Sequence, residues 1–220
     1  MLTDYDGQRI CGVADHFGSV LCRWPQTDRR VTIFATGRAG EVAIADAAEW
    51  AIQAWNEACG IRMEMSTNPK TANLYTRSKR LDGPGNVLAQ CQLPCGVRPD
   101  AQLFCDVDDS ELYVLGENPP AGRVDLGRTL RHEYGHGIGI GHISDGNLMA
   151  PRYSSSLWTL KNGDIMEGRA RYGDPVVTPP AVPIPGGSTP DAPRPVNGPR
   201  LEFVDPDGRR WRLNGVWEQV

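Results

Sequence analysis

The sequence predicts an α+β fold for residues 30–174, and three observations carry this prediction. Short apolar or alternating runs bounded by turn residues are typical of strands, and five occur, at 31–34, 61–65, 72–76, 87–92 and 102–106. Apolar residues at three- and four-residue spacing are typical of helices, and three such stretches occur, at 42–58, 126–138 and 160–172. The chain has 220 residues, of which 40% are hydrophobic and 23% charged, so it can bury a substantial core.

The three helical stretches have recognisable ends. Apolar residues recur at helical spacing from Ile44 to Trp55, and Gly60 then provides a stop. The second stretch ends at Gly139, and the third closes with Tyr172.

The strand runs differ in pattern. Residues 31–34, Val-Thr-Ile-Phe, form a short run of the buried type, whereas 61–65 alternates between apolar and polar side chains. The turn-rich residues 82–86, Asp-Gly-Pro-Gly-Asn, separate the third run from the fourth.

The two ends of the chain differ in character from its middle. Residues 1–29 show little periodicity and are predicted to be an N-terminal extension. Nine of the 18 prolines fall in 175–200, which predicts an extended linker. Residues 201–220 predict a small β-like appendage with turns at Asp207-Gly208 and Asn214-Gly215. Its tryptophans, Trp211 and Trp217, are expected to be buried against the rest of the chain, a second copy or a partner.

Charge and hydropathy exclude several classes of partner. Lys+Arg 23 against Asp+Glu 27 gives a net charge of −4, and nucleic-acid binding needs concentrated positive charge, so we expect no nucleic-acid partner. No stretch reaches the roughly 18 apolar residues of a membrane span. The first residues lack a basic and an apolar region, so no signal peptide is visible.

Six cysteines lie between Cys11 and Cys105. An even number in a chain of this size favours a disulfide framework formed in an oxidising, typically extracellular, compartment. The alternative is six thiols. Cys11 and Cys22 are candidates to close a small loop near the N-terminus.

The densest chemical signal is a histidine cluster. His132, His136 and His142 lie within eleven residues, in the string His-Glu-Tyr-Gly-His-Gly-Ile-Gly-Ile-Gly-His. Positions i and i+4 share one face of a helix, so His132 and His136 can bind one metal ion, and Gly139 allows the turn that brings His142 round as third ligand. Three nitrogen ligands leave one position for water, which is typical of a catalytic zinc site. Glu133 can reach that water without ligating the metal.

A second element lies just beyond. Asn147-Leu148-Met149-Ala150-Pro151 follows the third histidine, and Met149 is expected as the hydrophobic floor of the site.

These motifs resemble those of the metzincin zinc endopeptidases, and within them most closely the matrixins, the matrix-metalloprotease family. Residues 82–89 are similar to the stretch that leads into the edge strand of the matrixin substrate cleft. Pro151-Arg152-Tyr153 is similar to the wall of the S1′ pocket, and residues 164–173 to the closing helix.

The resemblance implies a specific architecture and site. The fold would be a twisted, mostly parallel five-stranded sheet with two long helices, then a small lower subdomain that holds the Met-turn and the closing helix. Val87, Leu88 and Ala89 would line the cleft opposite Pro151 and Tyr153, and an extended peptide would pair with that edge strand.

The acidic run at 106–109 corresponds to a calcium-binding run in the family. Asp82, Asp106 and Asp109, with backbone carbonyls of 83–87, are therefore expected to bind calcium. The alternative is a solvated acidic turn.

The chain also departs from the family pattern. Gln90 and Phe104 stand where matrixins have histidines, so the family's second, structural zinc is expected to be absent. Cys91 and Cys105 lie one residue beyond those positions, on strands that are neighbours in the family, and a disulfide between them would replace that metal. For Cys95 the expectation is a loop disulfide with Cys59, the alternative being a thiolate ligand to zinc.

The resemblance implies a zinc-dependent endopeptidase in which Glu133 is the general base and protein or peptide is the substrate. The alternatives are a surface or virion module with an idle zinc site, and a zinc hydrolase that acts on a non-peptide bond. The intact Glu133 argues against the first, since an idle site does not need its base.

Overall fold

The computed structural model describes residues 22–175 and the backbone of three strands within 202–219. The chain forms two compact units, Met1–Val177 and Thr178–Val220. The helices of the first unit are α1 (Ile44–Ala58), α2 (Leu126–Gly137) and α3 (Asn162–Tyr172). Its strands are β1 (Arg30–Thr36), β2 (Arg38–Ala39), β3 (Val42–Ala43), β4 (Arg62–Met65), β5 (Leu74–Lys79), β6 (Ala89–Cys91), β7 (Leu103–Asp108), β8 (Tyr113–Val114) and β9 (Val124–Asp125).

The predicted five-stranded, mostly parallel sheet is confirmed. Its order is β4-β1-β5-β7-β6, and only β6 runs antiparallel, to β7. The predicted run 87–92 shortens to β6, although backbone groups on both sides of it still bond β7, from the Asp108 N–H to the Leu88 carbonyl at 2.9 Å and from the Gln92 N–H to the Phe104 carbonyl at 3.1 Å. Side chains also hold the backbone before it. Val87 donates its N–H to the Asp82 carboxylate at 3.3 Å, and the Leu88 carbonyl accepts the Tyr113 hydroxyl at 2.6 Å.

The core lies between this sheet and the two long helices. Alternate residues of β1 and β5 are fully buried toward the helices, as Ile33 and Leu74 show, and the last four residues of β7 are all buried. α1 buries one face, as its periodicity predicts, and Trp55 at the centre of that face donates its indole N–H to the Arg131 carbonyl of α2 at 2.8 Å. None of the helices in the described part combines the length and apolar composition that a bilayer crossing requires.

The packed unit begins before residue 30, where the sequence placed the end of an extension. Trp24 is 2% exposed and donates its indole N–H to the Gly137 carbonyl at 2.8 Å. A lone tryptophan in a segment without periodicity gave no signal of this contact. The rest of the predicted extension, including Cys11 and His16, lies outside the described residues.

Two disulfides cross-link the first unit. The predicted bond Cys91–Cys105 is confirmed, between adjacent strands. Cys95 bonds Cys22 rather than Cys59, and this also excludes both a Cys11–Cys22 loop and a Cys95 thiolate at the metal site. The expected Cys59 bond is wrong because Cys59 is a fully buried free thiol at the end of α1, whereas Cys95 is on an exposed loop.

The second unit contains β10 (Glu202–Val204), β11 (Arg210–Leu213) and β12 (Trp217–Gln219), which form an antiparallel sheet in that order. The strands flank the two predicted turns. The predicted linker and the side chains of Trp211 and Trp217 lie outside the described residues, so their burial stays a prediction.

The Trp55 contact yields a test of the α1–α2 packing. Trp55→Phe removes the indole donor and leaves the Arg131 carbonyl buried without it, so unfolding free energy should fall by about 1–2 kcal/mol. Trp50→Phe is the matched control, since Trp50 is 40% exposed and the loss should stay within about 0.5 kcal/mol. Urea unfolding followed by far-UV circular dichroism measures both, and equal losses would contradict the assigned role of Trp55.

Candidate metal centre

α2 presents the first two histidines from inside the protein. Asp125 caps its N-terminus, where the carboxylate accepts the N–H groups of Gly127 at 3.1 Å and Arg128 at 2.9 Å. Every residue of the helix is buried. His132 and His136, one turn apart, therefore project from one face of a helix that is fixed on all sides.

The three histidine rings converge. The ring centroids lie 4.7 Å apart for His132–His136, 5.4 Å for His132–His142 and 4.9 Å for His136–His142. One ligand nitrogen from each lies within 4.8 Å of the other two. Within the described residues this is the one cluster of three metal-binding side chains.

Backbone carbonyls orient two of the rings. The Nδ1 of His132 lies 2.8 Å from the Leu148 carbonyl, and that of His136 lies 2.7 Å from the Ile140 carbonyl. A carbonyl can only accept, so each Nδ1 carries the proton and each Nε2 keeps its lone pair.

Those lone pairs fit a metal ion. Both Nε2 atoms are buried and have no hydrogen-bond partner among residues 22–175, an arrangement that is costly unless a further group binds there. Burial, followed by repulsion from the neighbouring ring, lowers the pKa of His132 well below its ordinary value and that of His136 to about 3. The rings are thus neutral near pH 7, the form in which imidazole ligates zinc.

A turn at Gly139 brings the third histidine, His142, to the other two. Gly139 has φ +97°, in the left-handed region that a side chain resists, and the chain leaves the helix there. His142 follows three residues later and is half-buried, whereas His132 and His136 are fully buried. The open side of the centre is therefore the side of His142.

Met149 is the residue that the sequence predicted as the floor of the centre. It is fully buried, and a Cβ added at Gly135 would lie 2.2 Å from its sulfur, so only glycine at 135 allows this contact. Asp164 of α3 holds the turn: its carboxylate accepts the N–H groups of Leu148, Met149 and Lys161 at 2.7–2.9 Å. The sequence placed Asp164 in the closing helix but gave no signal of this role.

Glu133 directly follows His132 in the chain and is fully buried. Both carboxylate oxygens are inaccessible to solvent. Its position on α2 keeps it beside the histidine cluster, where the sequence expected the general base.

The expected cleft residues lie on two segments. Leu88 and Ala89 have fully buried side chains, so only their backbone can meet a substrate, while Val87 is half-buried. Pro151 and Tyr153 are half-buried on the segment after the Met-turn.

Tyr153 is anchored at both its ring and its hydroxyl. The hydroxyl accepts the Asp125 N–H at 3.1 Å, and the Arg128 guanidinium lies 4.1 Å from the ring centroid. Sequence reasoning missed both partners; the position of Asp125 directly before an apolar helix was the available signal.

The expected calcium ligands are not brought together. The Asp106 carboxylate accepts Arg77 Nε at 2.7 Å and Lys79 Nζ at 2.8 Å, so it is used by two cations of its own chain. Asp109 is exposed, and Asp82 accepts the Val87 N–H. Strand β7 thus turns Asp106 toward the cations of β5, and its role as a calcium ligand stays a prediction.

Two other acids approach the loop at 82–87. Asp108 and Glu111 are buried, and they accept the N–H groups of Asp82 and Gly85 respectively. Calcium binding at this loop stays a prediction.

The ion pairs of Asp106 lie on the face of the sheet that carries Gln90, one of the positions where matrixins have a histidine. The loss of that histidine is the reason why the family's second zinc was expected to be absent. Gln90 pairs with Asp106 across β6 and β7, so the lost histidine position faces the Asp106 ion pairs. Burial raises the pKa of Asp106, but the hydrogen bonds from Lys79 and Arg77 outweigh it and hold the pKa below its ordinary value. The absence of that metal remains an expectation from the sequence.

A buried three-histidine centre with an adjacent glutamate, on a helix beside a mixed five-stranded sheet and above a methionine turn, defines a metzincin-like fold. Residues 24–173 match the family model described as Matrixin. The chain belongs to the matrixin family.

Similarity to curated relatives supports the same family. Over 114 residues, 49% of this chain and 18% of the relative, it is 33% identical to matrix metalloproteinase-16 of Homo sapiens. Over 180 residues, 74% of this chain and 37% of the relative, it is 28% identical to neutrophil collagenase of Homo sapiens. Metalloendoproteinase 1 of Glycine max is 31% identical over 117 residues, 48% of this chain and 36% of the relative. The chain thus spans well under half the length of these relatives.

Asp164 offers a test of how the floor is held. Asp164→Asn keeps one acceptor oxygen but places an NH₂ group against backbone donors, so the unfolding free energy should fall by about 2–3 kcal/mol. Asp174→Asn is the matched control, because Asp174 pairs with Arg169 at 3.4 Å with its side chain 83% exposed and should change stability by less than about 0.5 kcal/mol. Urea denaturation measures both, and a neutral Asp164→Asn would contradict the role in the turn.

Asp106 gives a pH-dependent prediction. Its folded-state pKa lies below the unfolded-state value, so the carboxylate contributes stability at neutral pH that is lost as pH falls through the folded-state pKa. Asp106→Asn should therefore cost about 1–2 kcal/mol at pH 7, and the difference from wild type should narrow below about pH 4.

Thermal midpoints across this pH range measure the effect. Asp100→Asn serves as control, since Asp100 pairs with Arg98 on the surface, with side chains 71% and 83% exposed. A pH-independent difference for Asp106→Asn would show that packing rather than charge is responsible.

Proposed function

We propose that this protein is a zinc-dependent endopeptidase. The family is one of zinc metalloendopeptidases. The observation that carries the proposal for this chain is the pair of buried Nε2 atoms of His132 and His136, which have no hydrogen-bond partner within the described part of the chain and lie beside the buried carboxylate of Glu133. Three imidazoles and one open side suit a catalytic rather than a structural zinc ion.

In the proposed reaction, the three histidines and Glu133 have separate roles. His132, His136 and His142 would hold zinc, which supplies Lewis acidity toward water and the scissile carbonyl. Glu133 takes a proton from the attacking water and delivers it to the leaving amine. Its burial excludes bulk solvent, and the neutral state of the rings keeps their Nε2 lone pairs available.

The substrate is proposed to be an extended peptide. β6 lies at the edge of the five-stranded sheet, where a peptide strand can add through backbone hydrogen bonds. Val87 and the backbone of Leu88 and Ala89 would form one side of the cleft, and Pro151 and Tyr153 the other. Neutrophil collagenase is named for a protein substrate, and we extend to this chain only the cleavage of peptide bonds.

We propose that the protein acts in an oxidising compartment, outside the cell. The two disulfides support this location.

Glu133→Gln separates metal binding from catalysis. The amide keeps the size of the side chain but cannot accept the proton, so zinc content should be unchanged while cleavage of an unstructured protein substrate falls by about 10²–10⁴-fold. Zinc is measured by metal analysis of the dialysed protein, and cleavage by chelator-sensitive fragment formation.

Glu57→Gln, on the exposed face of α1, is the control and should cleave at the wild-type rate. Wild-type protein that holds zinc but yields no fragments would favour a binding module with an idle site. Near-normal cleavage by Glu133→Gln would exclude this carboxylate as the base.

A further inference from the structure

The C-terminal end of α2 is held by groups from distant parts of the chain. The last carbonyls of a helix have no partner within it and need donors from elsewhere. Trp24 donates its indole N–H to the Gly137 carbonyl at 2.8 Å, and Tyr172 donates its hydroxyl to the Ile138 carbonyl at 2.9 Å. Arg171 Nε donates to the Gly139 carbonyl at 2.8 Å. Three consecutive carbonyls are thus satisfied by α3 and by the segment before β1.

That segment, Cys22, Arg23 and Trp24, is called the strap. Its backbone lies directly under the turn: a Cβ added at Gly139 would come within 2.0 Å of the Cys22 carbonyl oxygen. Arg171 Nε also donates to this oxygen at 3.2 Å, and the Trp24 N–H donates to the Tyr172 hydroxyl at 3.1 Å. The strap, the turn and α3 therefore share one network of hydrogen bonds.

The exit turn of α2, residues 138–140, contacts one proposed metal ligand, His136, and precedes another, His142. The Ile140 carbonyl accepts from His136 Nδ1, and the Ile140 N–H donates to the Gly135 carbonyl at 2.8 Å. Only Gly141 separates Ile140 from His142. A shift of the residues at 138–140 would therefore reorient the His136 ring and displace His142 together.

The strap is pinned at its start by a cross-link. Cys22 is bonded to Cys95, which lies on the loop between β6 and β7, and Gln26 donates to the Pro99 carbonyl of the same loop at 2.9 Å. Cys95 is exposed and Cys22 is half-buried, so the bond lies near the surface. Trp24, in contrast, is buried in the core.

We propose that the Cys22–Cys95 disulfide and Trp24 are positioning elements of the metal centre, which hold the strap under the exit turn of α2 so that His142 lies where His132 and His136 require it. The inference rests on the zinc binding proposed above. Its consequence is that the affinity for zinc depends on this surface disulfide, and that the protein holds zinc most tightly where the bond stays oxidised.

The test measures zinc affinity of the full chain, with Zn²⁺ itself as probe in competition with a chromophoric chelator. Cys22→Ser/Cys95→Ser frees the strap, and Trp24→Phe keeps a buried ring but removes the donor to Gly137. Cys91→Ser/Cys105→Ser is the matched control, because it removes the other disulfide and leaves the three carbonyl contacts in place. All proteins are compared at a temperature at which circular dichroism shows them folded.

We expect the dissociation constant for Zn²⁺ to rise roughly five- to tenfold in Trp24→Phe, the size of one lost hydrogen bond, and at least as much in Cys22→Ser/Cys95→Ser. The control should stay within about threefold of wild type. Amide hydrogen exchange at 138–142 should accelerate in the first two variants. Should Cys22→Ser/Cys95→Ser fail to fold, Trp24→Phe decides the question.

Two results would overturn this inference alone: wild-type affinity in the strap variants, which would make the strap only a cross-link of the fold, or an equal loss in the control, which would make the effect one of general stability. A wild-type chain that bound no Zn²⁺ would overturn both this inference and the proposed function.

Discussion

Every residue of α2 is buried, although the helix carries two arginines, two histidines and a glutamate. Burying such groups is costly unless each finds a partner, and much of the structure around the helix supplies those partners. Asp125 caps its start, the Leu148 carbonyl orients His132, and Tyr134 shares a 3.0 Å hydrogen bond with Thr76 of the sheet. Metal ligation would satisfy the remaining Nε2 atoms, so the chemistry of the centre and the stability of the helix are coupled.

Close approach is the second requirement of a helix buried on all sides, and glycine meets it. A Cβ at Gly135 would collide with Met149, and one at Gly137 would lie 2.8 Å from Leu74 of β5 and 3.3 Å from the Cys91 sulfur. The floor of the centre and the sheet can therefore both touch α2. The cost is a helix with weak intrinsic propensity, which tertiary contacts from both sides offset.

The outer face of the sheet shows how the same architecture is stabilised by different means. Where the family resemblance led us to expect the loss of a second metal, Asp106 joins two cations of β5, and the Cys91–Cys105 bond links β6 to β7. The aromatic rings of Phe34, Tyr75 and Phe104 continue across the neighbouring strands, with centroids 5.3 and 5.9 Å apart. Ion pairs and ring contacts tie the strands together on this side. The disulfide does so on the opposite face, where the Cys91 sulfur lies against Gly137 of α2.

Local spacing in the sequence determined the five strands and the three helices, because helix and strand periodicities are properties of neighbouring residues. The same local spacing predicted that the three histidines would lie together, because two of them are one helical turn apart and a glycine turn precedes the third. Only the tertiary structure decided the rest. The partners of Cys95, Asp106 and Asp164 are set by which elements the fold brings together. Trp24 reaches Gly137 across 113 residues, a distance at which no periodicity survives. Cysteine spacing alone does not determine the pairing either, since six cysteines allow about 15 connectivities. The Cys91–Cys105 bond was predicted only through the family resemblance, and Cys59 is a buried free thiol in the described structure.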